Sequence, residues 1–295
     1  WVNGTDTPLV YDGSSFANMT VSGTGLTVTN LRGIMVHQSH TFFWENNSQD
    51  FWYSAVNTLG GTITKFPLSR VGAFGGNLVC AGSWNVAGGS EEWVGGGIGN
   101  DLAVFVMSSG DTIVYEGDNP ASNWNLVGVY RIPDPLDIRA IAKVGGDLVI
   151  ATKGGIISMA AVSSAGQLED KGVISDKINP ALIEKNSLSD PGWQLEYHPT
   201  YSQGRLLLLN IPNSTVDFDQ YVMNADTLSW ARFKDVNARS WGRFNDGLYF
   251  GTTDGKVMKF DDGNADVAAD INGDAETAYS YFDARGVLKR CAALR

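Results

Sequence analysis

A short phrase recurs along this chain and limits what it can build. An apolar run begins just after Gly, Asn or Asp, a polar turn follows, and a second apolar run answers it. Residues 246–260 read Asp-Gly-Leu-Tyr-Phe-Gly-Thr-Thr-Asp-Gly-Lys-Val-Met-Lys-Phe, and 147–159 read Asp-Leu-Val-Ile-Ala-Thr-Lys-Gly-Gly-Ile-Ile-Ser-Met. Residues 101–115 repeat the phrase as Asp-Leu-Ala-Val-Phe-Val-Met-Ser-Ser-Gly-Asp-Thr-Ile-Val-Tyr. Each is a β-hairpin, with Gly or Asp at turn positions that bulkier residues resist. The first Leu of successive copies falls at Leu102, Leu148, Leu206 and Leu248. Intervals of this length suit a four-stranded sheet with its loops, the unit of a β-propeller.

The expected fold is therefore all-β: a propeller, most simply of six four-stranded blades, forming a single domain over residues 1–295. Units are expected at about 34–68, 70–132, 138–174, 192–235 and 238–274. The second carries a Gly-rich insertion over 88–99. Residues 176–191 break the pattern, and Asn179-Pro180 ahead of Ala-Leu-Ile-Glu-Lys predicts a short helix in an inter-blade loop. Apolar segments 277–282 and 287–294 would supply two strands of a sixth blade. The N-terminal segment, whose Asp-Thr-Pro-Leu-Val-Tyr-Asp-Gly echoes residues 111–117, would complete it and hide the sheet edges. The chain starts at Trp1 and ends at Arg295, and it reads as a piece of a longer polypeptide.

Composition excludes some functions. A net charge of −11 argues against a surface that grips nucleic acid, since that affinity comes mainly from Lys and Arg. No run approaches the roughly 20 apolar residues of a membrane-spanning helix, so no membrane insertion is expected. Cys80 and Cys291 are far apart in apolar strand contexts and read as buried thiols. The three histidines make no metal motif. His37 and His40 would face opposite ways on one strand, and only a turn between them would bring them together. Nucleophile-elbow, phosphate-loop and dinucleotide fingerprints are absent. No catalytic residue and no cofactor is expected.

Two weaker signals remain. Asp270, Asn272, Asp274 and Glu276 have the alternate-residue spacing of a calcium loop without its full twelve-residue pattern; a solvated acidic turn is the simpler reading. Among nine tryptophans, Trp44, Trp52, Trp230 and Trp241 sit where blade packing would consume them. Trp84, Trp93 and Trp124 lie in loop-like stretches and are the candidates for ligand or glycan contact.

Longer phrases carry a family resemblance. They are His40-Thr-Phe-Phe-Trp through Phe51-Trp-Tyr-Ser, Gly60-Gly-Thr-Ile-Thr-Lys-Phe-Pro-Leu, and Ile113-Val-Tyr-Glu-Gly-Asp-Asn-Pro with Trp124-Asn-Leu-Val-Gly-Val-Tyr. Gly145-Gly-Asp-Leu-Val-Ile, Tyr221-Val-Met-Asn with Leu228-Ser-Trp-Ala-Arg-Phe, Phe244-Asn-Asp-Gly-Leu-Tyr-Phe-Gly-Thr with Asp254-Gly-Lys-Val, and Ala278-Tyr-Ser-Tyr-Phe follow. In this order they resemble the propeller-bearing nozzle (tail-tip, or tail-stabilisation) proteins of short-tailed bacteriophages and prophages. The resemblance implies a virion structural protein made in the bacterial cytoplasm. It implies a ring of copies of itself, typically a hexamer, around the DNA exit channel, in contact with neighbouring tail proteins and the host surface. DNA would pass without tight binding, and no enzymatic residues are implied. Family members are longer, with a further platform-like domain. A ligand- or glycan-binding propeller is the alternative, and a hydrolase using paired carboxylates a third reading.

Overall fold

The computed structural model describes residues 1–85, 101–165, 173–186, 191–199, 204–214, 217–234, 236–263, 265–266 and 269–270. The chain divides into two compact units, Trp1–Lys259 and Phe260–Arg295.

The first unit is almost entirely β. Strands β1 (Leu9–Tyr11) and β2 (Phe16–Asn18) form an antiparallel ribbon. A short β3 (Val21–Ser22) follows. Blade 1 then runs through β4 (Leu31–His37), β5 (His40–Glu45) and β6 (Phe51–Tyr53). After β7 (Gly61–Thr62), which pairs in parallel with β3, β8 (Thr64–Phe66) completes that sheet. Blade 2 is β9 (Leu78–Asn85), β10 (Asp101–Met107), β11 (Asp111–Glu116) and β12 (Asn125–Arg131). Blade 3 has β13 (Ile141–Val144), β14 (Asp147–Thr152) and β15 (Gly155–Ser158). Among the described residues its fourth strand is marked by one bridge between Ile157 and Val173. Helices α1 (Met159–Ala165) and α2 (Asn179–Asn186) occupy the stretch before blade 4.

Blade 4 is β16 (Gln194–Pro199), β17 (Arg205–Pro212), β18 (Phe218–Asn224) and β19 (Ser229–Phe233). Blade 5 is β20 (Ala238–Phe244), β21 (Gly247–Thr252) and β22 (Val257–Lys259). Every blade sheet is an antiparallel meander in chain order, and the first strands β4, β9, β13, β16 and β20 neighbour one another in turn. This is a β-propeller. Five blades are present among the described residues, where the sequence pattern led to six. Among the described residues β1 and β2 pair only with each other, and the strands expected over 277–294 lie outside them. In the second unit, β23 (Ala265–Asp266) and β24 (Ala269–Asp270) form a two-residue hairpin ladder.

Side-chain alternation explains the apolar runs. In β10, Leu102, Val104 and Val106 pack with Leu148, Ile150 and Ile157 of blade 3, while Ala103, Phe105 and Met107 pack with Phe42, Trp44 and Phe51 of blade 1. In β14, Leu148 and Ile150 serve blade 2, whereas Val149 and Ala151 meet Leu195, Leu207 and Leu209 of blade 4. A strand covered on both faces must be apolar at consecutive positions. Burying each such side chain contributes roughly 1.5–3 kcal/mol. The far face of blade 1 is covered by the N-terminal segment: Met19 and Val21 pack with Phe43, Trp52 and Ile63.

The hairpins close tightly. In blade 1 a two-residue turn, Gln38 and Ser39, takes φ of 45° and 64°; in blade 5, Asn245 and Asp246 take 44° and 60°. Both residues left-handed is the signature of the turn whose twist matches paired strands. A second device recurs at the outer strands. Asp50, Asp111 and Asp219, before or at the start of the third strand, pair with Lys65, Arg131 and Arg232 on the fourth. Asp111 also accepts the Phe74 amide at 2.9 Å, and Arg131 lies over the Phe74 ring at 4.3 Å.

Close packing makes one glycine irreplaceable. A Cβ on Gly33 would lie 1.9 Å from Cε2 of Trp44, whose indole is pinned by a 3.1 Å bond to the Val79 carbonyl. Gly33→Ala is expected to lower the urea-unfolding free energy by about 2–3 kcal/mol. Gly242→Ala on β20, where a Cβ meets nothing within 4 Å, should stay within about 0.5 kcal/mol.

Candidate functional site

Polar side chains gather at two kinds of place: the seams between blades and the lead-in segments to their first strands. At the seam of blades 1 and 2, the turn after β4 places His37 opposite His40, and both are buried. His37 Nδ1 is 2.8 Å from Ser83 Oγ on β9, and its ring meets Phe42 and Trp124 edge-on. His40 Nδ1 lies 2.6 Å from the Ser54 carbonyl. Neither imidazole joins a metal cluster, and no such cluster occurs among the described residues.

Buried amide side chains bridge the seam of blades 4 and 5. Gln194 donates to the Trp241 carbonyl at 3.1 Å and accepts the Trp241 amide at 3.0 Å. Gln220 donates to the Ala238 carbonyl at 3.2 Å and to Asn210 Oδ1 at 2.9 Å. Asn210 reaches the Gly192 and Arg239 carbonyls at 3.4 and 3.5 Å. Three buried amides thus stitch blade 4 to the backbone of β20, where mainly apolar side chains do the equivalent work at the seams of blades 1 to 4.

A charged node lies where these lead-ins converge. Asp137, only 9% exposed, stands ahead of β13. Its Oδ1 accepts the Ile138 amide at 2.7 Å and its Oδ2 the Gly192 amide, ahead of blade 4, also at 2.7 Å. Arg32 of blade 1 approaches Oδ1 at 3.6 Å. Two residues on, the Arg139 carbonyl accepts the Leu195 amide at 2.9 Å and Arg139 bridges Gln194 in parallel. Desolvation lowers the Arg139 pKa, and Arg239 of blade 5 pushes the same way against the attraction of Asp137. Arg139 is nevertheless exposed to solvent. Sequence reading missed this node, because its members lie about a hundred residues apart and no local pattern joins them.

The expected ligand contacts are dispersed. Trp84 lies within β9, not in a loop, and is 3% exposed in the core between blades 2 and 3. Trp124 precedes β12 and stacks on Tyr115 at 5.4 Å and on Phe42 at 5.8 Å. Trp93 lies outside the described residues. So do Asn272, Asp274 and Glu276 of the calcium-like spacing; Asp270 is on β24, with only its backbone described. Trp44, Trp52 and Trp241 are buried in blade packing, and Trp230 is partly buried against the core of blades 3 and 4. Cys80 is fully buried, and desolvation raises its pKa strongly; Cys291 is outside the described residues.

No protein-family model matches the chain, and no curated protein matches it significantly. Among solved structures, the crystal structure of BBS1N in complex with ARL6DN, soaked with lead, is similar at 9% identity with a TM-score of 0.39. The match covers 75% of this chain and 58% of that one.

His37 carries a pH dependence. Burial holds its pKa below the ordinary 6.5, although the nearby Gly117 carbonyl and Asp101 oppose that shift, while Lys143 and His40 reinforce it. The unfolded chain therefore takes up the proton first as pH falls. Stability from the neutral ring is complete above about pH 6.5 and drains away as pH drops through the lower folded value. The fall in thermal midpoint between about pH 7 and pH 5 is expected to be shallower in His37→Gln than in the wild type; equal slopes would show that the ring does not titrate there.

Proposed function

We propose that this chain is an architectural propeller of a short-tailed phage tail nozzle, working by assembly rather than catalysis. The observation that carries the reading is the ordered set of phrases, from His40-Thr-Phe-Phe-Trp to Ala278-Tyr-Ser-Tyr-Phe, that resembles the nozzle proteins. The use made of the polar residues is consistent with it. Asp111 and Asp219 latch outer strands, Asp137 ties lead-in segments together, and Asp147 accepts bonds from Ser158 and from the Ala160 amide at the start of α1. His37 and His40 bond across seams and turns. Groups committed to holding strands are poorly placed to hold a reacting substrate.

In this reading copies of the chain form a ring, most simply a hexamer, in the virion tail beside other tail proteins. The net charge of −11 suits a wall that a polyanion slides past, because a basic wall would hold it by releasing counterions. The glycan-binding alternative loses Trp84 to the core.

Electron microscopy of the purified protein at micromolar concentration should show closed rings with an open centre. Duplex DNA should not be retained at about 0.15 M salt, where only a weak residual attraction is expected for an acidic surface. A monomer that retains duplex DNA at micromolar concentration would overturn the proposal. So would saturable glycan binding lost on Trp124→Ala.

A further inference from the structure

We propose that the β1–β2 ribbon carries a binding face for a neutral saccharide. Alternation sets the face. Val2 and Val10 turn inward and pack with the core of blade 1, beside Met19, Val21, Phe43 and Trp52. The residues next to them turn the other way. Trp1 and Leu9 exchange both backbone hydrogen bonds, at 2.7 and 3.0 Å, so their side chains share one side of the ribbon. Leu9 stands opposite Asn18, and Tyr11 opposite Phe16. The solvent side of a strand is ordinarily polar, but here it presents Trp1, Leu9, Tyr11 and Phe16. Trp1 is 59% exposed, Tyr11 53% and Phe16 69%.

The aromatic pair is fixed in place. The Tyr11 and Phe16 rings lie 4.9 Å apart, tilted by 38°. The Tyr11 hydroxyl donates to the Gly13 carbonyl at 2.8 Å, which orients its ring. Asp12 closes the turn between the strands by accepting the Ser14 and Ser15 amides, both at 2.8 Å. A surface already ordered in this way loses little conformational freedom when a ligand settles on it.

Charge and hydrogen bonding select the ligand. Residues 1–31 contain Asp6 and Asp12 and no Lys, Arg or His. With no cation at hand, the face repels phosphate, acidic polysaccharide and anionic lipid. A neutral sugar has the matching chemistry: one side of its ring presents C–H groups to an aromatic face, and its hydroxyls seek partners at the rim. Asn18 lies two residues from Phe16 on the same face and makes no side-chain hydrogen bond among the described residues. Its amide offers both a donor and an acceptor. An apolar protein surface would bury that amide unpaired, a cost that a sugar hydroxyl removes. Neither ring assembly nor a role in a virion is required.

Titration calorimetry tests the face, with cellohexaose, maltohexaose and chitohexaose as neutral probes and polygalacturonate as the acidic one. Saturable binding of at least one neutral probe is expected, and no binding of polygalacturonate. Tyr11→Ala and Phe16→Ala should each weaken binding about tenfold by removing a ring, whereas Tyr11→Phe and Phe16→Tyr should stay within about twofold. Asn18→Ala should weaken it about fivefold. Trp124→Ala, at a blade seam, should leave it unchanged. These three ribbon side chains are exposed, so an unchanged thermal midpoint is expected for each variant; if Tyr11→Ala fails to fold, Phe16→Ala and Asn18→Ala give the same reading. Sedimentation of the ring-deleted variants tests the competing occupant. If they dissociate an oligomer and the wild type binds no oligosaccharide, the face is an interface between copies and the proposal falls. Failure of all three neutral probes, equal affinity in wild type and ring-deleted variants, or equal binding of polygalacturonate also overturns it.

Discussion

The fold depends on burying the second strands of blades 1 to 4 on both faces. A propeller blade is stable only when each of its faces has a neighbour, and β10, β14 and β17 meet that demand with unbroken apolar sequence. Alternate residues of β10 enter different cores, Phe105 toward blade 1 and Val104 toward blade 3. A one-residue slip would exchange the two sets and put large side chains where small ones fit, so register is fixed from both sides. The same geometry makes Gly33 necessary, because Trp44 fills the space over it.

Seam chemistry changes from blade to blade. Blades 1 to 4 meet mainly through aliphatic and aromatic residues, but Leu206 and Leu208 of β17 share their face with Asn210, which lies in the amide seam with blade 5. Apolar contact is tolerant of small sliding, whereas a hydrogen-bonded amide accepts only one arrangement and is costly when left unpaired. Gln194, bonded both ways to Trp241, therefore fixes the position of β20 along blade 4. That lock also sets where Arg239 and Arg243 stand.

Much of the architecture was legible because it repeats locally. The second-strand leucines Leu102, Leu148, Leu206 and Leu248 all fall in second strands of blades. Turn residues such as Asn245-Asp246 sit where hairpin chemistry wants them. The Asp–cation latches of blades 1, 2 and 4 were equally present in the sequence but went unread, since the partner's distance varies from Asp50–Lys65 to Asp111–Arg131 with the intervening loop. Trp84 was misplaced for a related reason. Its flanking Gly and Asn residues look like loop, yet β9 continues through it to Asn85 because Leu102 and Asp101 of β10 pair alongside. Asp137 and its arginines have no local signature; only closure of the sheets brings Arg32 within reach of a carboxylate 105 positions away.

That closure also explains why a buried carboxylate stands at this point. Joining lead-in segments from different blades leaves backbone amides such as those of Ile138 and Gly192 needing acceptors away from a regular ladder. Asp137 supplies them, and in doing so its oxygens are occupied by neutral donors. A carboxylate engaged in this way still lowers the local potential, but it offers little direct hydrogen bonding to a guanidinium. Burial lowers the pKa of Arg139, and the attraction of Asp137 opposes that shift more than Arg239 adds to it. The same contacts that draw the blades together thus make one carboxylate the shared acceptor for the segments leading into blades 3 and 4.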